Sequence, residues 1–301
     1  MVKIIDFFRL IRTKNLLIIA ISQYLIRHSI IIPMTDSNSL NNLQFFFLVL
    51  STILIAAAGY IINDYFDTRV DRLNNRKLII DQTIKRREAI LFHFVFSGIG
   101  VFLGFFLGWR VGMINLGFIN IFCSSALWFY STNFKRVYLS GNLLISLLAS
   151  LVILIIPLYE IIPNPNTNSV NAFYIICCYA IFAFFTTFIR EIIKDFEDAS
   201  GDKKMGYTTF AIVSAKTAKK VVQSLSLILI TIIGVVAYLQ IKYQVFLAAA
   251  YVILIVEVPF IYFFIKLTGT SNKKSYGQLS QTIKLIMLTG TLSMLVFTLL
   301  F

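Results

Sequence analysis

The chain has 301 residues, 58% of them hydrophobic and only 14% charged, with a mean hydropathy of +0.83. A soluble domain has no use for so much Phe, Ile and Leu, and several windows run close to twenty residues almost without charge, enough for a helix to cross roughly 30 Å of hydrocarbon. These runs lack the alternating period of barrel strands, and the net charge of +13 sits between them rather than in a nucleic-acid patch.

The expected fold is therefore an all-α integral membrane protein with no nucleic-acid partner. The opening stretch, VKIIDFFRLIRTKN, is expected to form an amphipathic helix lying on the membrane ahead of an uncleaved first span. Nine spans follow, at about 15–33, 43–63, 89–108, 111–130, 139–159, 170–192, 218–239, 244–266 and 279–300. The connections alternate in charge. Arg69, Arg72, Arg76, Lys77, Lys85, Arg86 and Arg87 fill the second loop, whereas PMTDSNSLNN and EIIPNPNTNS carry no Lys or Arg. With nine spans every strongly basic connection falls on one side, which the positive-inside rule makes cytoplasmic, with the N-terminus inside and the C-terminus outside. Cys123, Cys177 and Cys178 lie in apolar segments without metal-site spacing and are expected to be small core residues.

Two of the apolar runs end in acids. Span two leads into NDYFDTRVD and span six into KDFEDASGD, so that Asp64, Asp67 and Asp71 recur as Asp195, Asp198 and Asp202, each 131 positions later. Both passages leave the cytoplasmic ends of spans that run in the same direction. The repeat suggests a single domain over 1–301 with a parallel internal duplication of about 15–136 and 139–266. Spacings of i, i+3 and i+7 share one helix face, and Asn63 adds an oxygen one turn before Asp67. Crowded carboxylates at the negative end of a helix dipole need a cation to offset them. Neighbouring Arg and Lys could serve. Yet two matched stripes of oxygen ligands on one membrane face suit hard cations, with Mg²⁺ taking one or two carboxylates and completing its shell from a diphosphate. An EF-hand is excluded by the spacing. Metal-held diphosphate on an isoprenoid would ionise readily, while the hydrocarbon tail lies between helices.

At these residues the chain resembles the UbiA superfamily of intramembrane prenyltransferases, which carry NDxxDxxxD after the second span and a second aspartate motif after the sixth. YSTNFKR (130–136) is similar to that family's YSxxxK, and REIIKDFEDASGDKK (190–204) most resembles the branch of digeranylgeranylglyceryl phosphate synthases. The resemblance implies a nine-helix bundle with a central cavity open to the cytoplasmic side. It implies Mg²⁺ as cofactor, held by Asn63, Asp64, Asp67, Asp71, Asp195, Asp198 and Asp202, with the six aspartates as catalytic residues. It also implies that Tyr130, Lys135, Arg72, Arg76, Arg190 and Lys194 contact the diphosphate, although Arg190 and Lys194 could equally be snorkelling anchors at a helix end. The substrates it implies are an isoprenyl diphosphate, such as geranylgeranyl diphosphate, and a lipophilic acceptor, first geranylgeranylglyceryl phosphate and second a hydroxybenzoate or naphthoate. NNRKLIID (74–81) departs from the family's NRPxRP, leaving Asn75 and Arg76 to keep part of that role and arguing mildly against an aromatic acceptor.

Other polar residues within spans are read more plainly. Arg27 and His28 should face a cavity or an interface; Asn15 either faces the site or is interfacial; Glu257 could line a cavity, Pro259 should kink span eight, and His93 should be structural. A divalent-cation transporter is the competing class, but its ligands belong near the midplane on broken helices rather than at helix ends. A CDP-alcohol phosphotransferase is excluded, because no DG dipeptide occurs in the chain.

Overall fold

The computed structural model describes residues 2–35, 39–73 and 78–297. A short helix α1 (Val2–Leu10) precedes nine helices long and apolar enough to cross a membrane. They are α2 (Thr13–Met34), α3 (Asn42–Leu73), α4 (Arg86–Arg110), α5 (Ile114–Thr132), α6 (Ser140–Glu160), α7 (Thr167–Lys204), α8 (Ala215–Lys242), α9 (Phe246–Gly269) and α10 (Lys273–Val296). The nine expected spans all appear among the described residues. Two of them run well past their apolar stretches: α3 continues as helix through the first acidic passage to Leu73, and α7 through the second to Lys204. Nothing in NDYFDTRVDRL breaks a helix. The end of α7 is marked by Gly206, whose left-handed φ of 74° supplies the usual helix stop.

Buried residues gather in two large clusters. One joins Ile26 and Ile30 of α2, Leu48 of α3, Ile156 and Tyr159 of α6 and Ile176 of α7. The other joins Ile189 and Ile193 of α7 to Val222 of α8, Phe260 of α9 and Ile283 of α10. A smaller cluster, with Leu10, Ile61 and Ala89, seats the end of α1 against α3 and α4. Because lipid tails are as apolar as these side chains, polar clips add cohesion between helices. Gln23 donates to the Val152 carbonyl (2.9 Å), Asn120 to Ser51 (2.7 Å), Ser51 to the Gly100 carbonyl (2.6 Å) and Tyr159 to the Gly104 carbonyl (3.0 Å). His93 lies buried with Nδ1 3.0 Å from the Ala58 carbonyl, a packing role. Cys178 departs from expectation: it is exposed on the outside of α7, where a lipid-facing surface accepts a small apolar residue as well as a core does.

Both proline-bearing helix breaks use the same device. A π-helical turn, Ile26–Ile31 in α2 and Val252–Glu257 in α9, comes just ahead of Pro33 and Pro259 and widens the helix where an N–H is missing. Glu257 packs against Gly234 of α8, where an added Cβ would meet its carboxylate at 3.1 Å. Arg27, in the first π turn, is held by protein. Its Nε lies 2.9 Å from Glu160 at the end of α6, its Nη2 donates to the Leu40 carbonyl (2.6 Å), and its guanidinium sits 4.4 Å over Phe45. The pair is 2% and 0% exposed, and it knits α2, α3 and α6 at the end of the bundle away from the acids.

Removing one partner of a buried ion pair strands the other charge, so Arg27→Ala or Glu160→Ala should each cost about 3–5 kcal/mol. The double variant Arg27→Met/Glu160→Leu should recover most of that loss. Thermal denaturation in detergent micelles measures both.

Candidate active site

The final turns of α3 and α7 bring their acids to one end of the bundle. On α3, Asp67 is buried at 5% exposure and Asp64 and Asp71 are half-buried; on α7, Asp202 is buried and Asp195 and Asp198 are half-buried. The loop between α5 and α6 bridges the two ridges. Its Lys135 forms an ion pair with Asp67 and lies within electrostatic reach of Asp71 and of Asp202 on the other ridge. Burial is the largest influence and opposes the Lys135 charge, but Asp67, Asp71 and Asp202 together hold the ammonium above its ordinary pKa. Tyr130, on the last turn of α5, is within reach of Asp67, Asp195 and Glu191 together. One tyrosine and one lysine thus touch the fields of both ridges.

Every acid with a described partner is braced by a cation or an amide. Arg12, in the break between α1 and α2, donates from Nη2 to Asp64 at 2.8 Å and lies 4.9 Å over the Tyr60 ring. Burial, the largest influence, would lower its pKa, yet Asp64, Tyr60 and Asp67 together raise it. Its backbone is left-handed, with φ 52°, a conformation that costs a non-glycine residue roughly 1–2 kcal/mol and is kept where surrounding structure holds it. Asn63 donates to Asp67 (2.8 Å), and Asn142, on the first turn of α6, donates to Asp195 (2.9 Å). Lys194 grips Glu191 through both oxygens at 3.0 and 2.8 Å, and Arg190 reaches it at 3.2 Å. The close approach of α6 depends on Gly141, where a Cβ would meet Lys135 Cα at 3.1 Å and the Tyr130 ring at 3.2 Å.

Among the residues expected at the site, Asn63, the six aspartates, Tyr130, Lys135, Arg190 and Lys194 all lie at this end. Arg72 is exposed on the last turn of α3, and Arg76 and Asn75 fall outside the described residues. Three residues beside the acids escaped sequence reasoning: Arg12, Asn142 and Glu191. Glu191 had a signal, since it precedes Asp195 by four residues and extends that ridge one turn deeper. Asn142 had none beyond being polar in an apolar run.

The donor set fits a hard divalent cation. All its ligands are oxygens, and the buried Asn63 Oδ1 has no hydrogen-bond partner while its own Nδ2 is committed to Asp67. Among the described residues no three Asp, Glu, His or Cys side chains converge as tightly as a metal cage does; the acids are held by cations instead. Two cavities flank the ridges. One of about 400 Å³ opens between the end of α3 and the loops before α6 and after α7, with Arg69, Arg86, Arg136 and Tyr207 in its wall. The other, an apolar crevice of about 60 Å³ between α3, α5 and α6, is lined by Ile55, Ala56, Cys123, Leu127, Leu148 and Val152.

Fold and site together define a polytopic membrane prenyltransferase. The chain belongs to the UbiA prenyltransferase family, whose match runs over residues 29–287. It is 29% identical over 247 residues to the digeranylgeranylglyceryl phosphate synthase of Methanosphaera stadtmanae, covering 81% of this chain and 84% of that one. It is 28% identical over 293 residues to the enzyme of the same name from Methanocaldococcus jannaschii, covering 95% and 94%. Among solved structures, one of a digeranylgeranylglyceryl phosphate synthase superposes with a TM-score of 0.69 at 23% identity over the whole of both chains. A UbiA homolog from Archaeoglobus fulgidus bound to GPP and Mg²⁺ gives 0.55 at 19% identity, covering 96% and 99%. These structural likenesses concern the fold.

Lys135 lies within electrostatic reach of both ridges, and removing it leaves Asp67 held by the neutral Asn63 amide and the site short of a positive group. Lys135→Met should reduce prenyl transfer by about 10²–10³-fold, the usual cost of losing one preorganised electrostatic group, with expression and membrane insertion retained. Single-turnover assays in micelles read the effect.

Proposed function

We propose that this enzyme transfers a prenyl group from an isoprenyl diphosphate, preferably geranylgeranyl diphosphate, to the free hydroxyl of geranylgeranylglyceryl phosphate, at the cytoplasmic face of the membrane. The observation that carries this reading is the convergence of the α3 and α7 carboxylates around Tyr130 and Lys135. The similarity to synthases of that name along nearly the full chain supports the acceptor. The alternation of basic loops supports the orientation, with the N-terminus inside. The whole of 1–301 acts as one domain in this reading, with the two acidic passages as counterparts in a parallel repeat of about 15–136 and 139–266.

Asn63, Asp64, Asp67 and Asp71 on α3, with Asp195, Asp198 and Asp202 on α7, would hold Mg²⁺. When bound, the metal supplies the positive charge that stabilises a departing diphosphate. The chain's own groups do the rest. Tyr130 from the last turn of α5 and Lys135 from the α5–α6 loop bind the diphosphate, and Arg190 and Lys194 do so from α7, fixing its leaving oxygen. The C1–O bond breaks with its electron pair going to the diphosphate. The acceptor hydroxyl attacks the allylic carbon, an ether bond forms, and the hydroxyl proton is released. The apolar crevice between α3, α5 and α6 suits the prenyl tail: Ala56 lies eleven residues before Asp67 on one helix, about 17 Å below it.

Asp67→Ala and Asp198→Ala should each abolish Mg²⁺-dependent transfer while the protein still inserts and elutes as wild type does; normal turnover in either would overturn the metal role. Detergent-solubilised protein given labelled geranylgeranyl diphosphate should label geranylgeranylglyceryl phosphate and leave hydroxybenzoate unlabelled. The reverse preference would replace the acceptor.

A second prediction concerns the crevice. Ala56→Phe should fill it and lower turnover of geranylgeranyl diphosphate by about tenfold, an overpacking penalty of ~1.4 kcal/mol. Geranyl diphosphate, with its shorter tail, should be spared.

A further inference from the structure

Lys284 lies in the middle of α10, half-buried, and the proposed diphosphate chemistry does not use it. Its Nζ donates to Asn15 Oδ1 at 2.8 Å, tying α10 to the first turn of α2. Packing of α10 against α7 fixes its level. Gly290 faces Phe182 and Gly277 faces Glu197, so the antiparallel pair places Lys284 opposite Arg190. The charges that bear on it are Arg190, Lys14 and Arg12, all positive. Arg12 is committed to Asp64, and Arg190 reaches Glu191 through Nη1 only. Arg190 Nε is buried without a partner, and so is the hydroxyl of Thr187, which is 4% exposed and one turn earlier on α7.

A half-buried ammonium beside other cations, with only a neutral amide as partner, is unfavourable unless an anion joins it. Among the described residues here, the groups with capacity to spare can all donate: Lys284 Nζ, Arg190 Nε and the Thr187 hydroxyl. The diphosphate reading requires carboxylates to hold metal, and the groups at Lys284 include none. The anion that fits is one that arrives without metal and carries more than one negative charge, with a guanidinium edge and an ammonium to receive it.

We propose that Lys284, with Asn15, Thr187 and the unpartnered Nε edge of Arg190, whose Nη1 side is the part turned to the donor site, forms a second anion subsite at the seam of α2, α7 and α10, which binds the phosphomonoester headgroup of the acceptor. The inference rests on the prenyl-transfer reading and adds the determinant of acceptor choice. Lys284 is a specificity residue that selects a glycerol phosphate headgroup over the single charge of a benzoate.

Lys284→Gln should raise the KM for geranylgeranylglyceryl phosphate by at least tenfold, with the KM for prenyl diphosphate little changed, and Lys284→Arg should recover most of the affinity. A readout without metal or turnover accompanies it: in Mg²⁺-free micelles, glycerol 1-phosphate should raise the melting temperature of the wild type and of Lys284→Arg, but not of Lys284→Gln. A rise in the prenyl diphosphate KM instead would move Lys284 to the donor site and overturn the proposal. So would equal stabilisation of wild type and Lys284→Gln by glycerol 1-phosphate. If Lys284→Gln misfolds, Asn15→Ala and Thr187→Val carry the same comparison. A wild-type enzyme that prenylates neither a phosphate-bearing nor an aromatic acceptor would instead sink the functional reading on which this one stands.

Discussion

The ion pair between Asp67 and Lys135 joins the end of one long helix to a loop between two others. Its cause lies in the sequence of α3. Three aspartates at i, i+3 and i+7 stack on one face, at a helix end already negative and beside an apolar medium. Such a ridge cannot persist without matching positive charge, and the chain supplies it from places distant in sequence: Arg12 from the α1–α2 break and Lys135 from the α5–α6 loop. On the second ridge a neutral amide, Asn142 from the start of α6, donates to Asp195. Arg12 and Leu139, which stand in these connections, both take left-handed backbone, with φ of 52° and 56°. The loops are shaped around the acids.

The same need explains why α3 and α7 outrun their apolar stretches. A helix that stopped at the hydrocarbon boundary would leave the aspartates in separate loops, with no fixed spacing and no shared face. Continuing the helix for roughly three turns, at about 5.4 Å each, carries both ridges past the apolar stretches at the same end of the bundle. Opposite them the bundle is closed by packing around Tyr159 and by Arg27 and Glu160.

Much of this was legible in the chain. The nine spans, the two acidic passages and their placement at matching helix ends follow from hydropathy, spacing and loop charge, because those signals are local and periodic. Long-range pairing is not. Nothing near Glu160 announces that it meets Arg27, 133 positions earlier, since both stand alone in apolar surroundings. Asn142 looks like any polar residue near a helix start, and its bond to Asp195 depends on how α6 crosses α7. Lys284 reads as an isolated charge in the last span until α10 is laid against α7 and α2. Glu191 is the instructive omission: the helical period that linked Asp195 to Asp198 and Asp202 extends one turn back to it, but the apolar run hid the step.

Exposure separates the two kinds of ion pair in this bundle. Arg27 and Glu160 are 2% and 0% exposed, so opening that pair would leave two charges in hydrocarbon-like surroundings. Arg12 and Asp64 are 40% and 23% exposed, and water can take either partner when it is released. Exposed pairs of this kind contribute about 0–1 kcal/mol. The far end is thus fixed, whereas at the mouth the Arg12–Asp64 pair can part at little cost and Lys135 with Asp67, at 27% and 7% exposed, holds more firmly. A site that must accept a highly charged headgroup, and later release it, needs that difference. In the proposed reaction the same arginines and lysines would turn to phosphate oxygens as other positive charge reached the carboxylates.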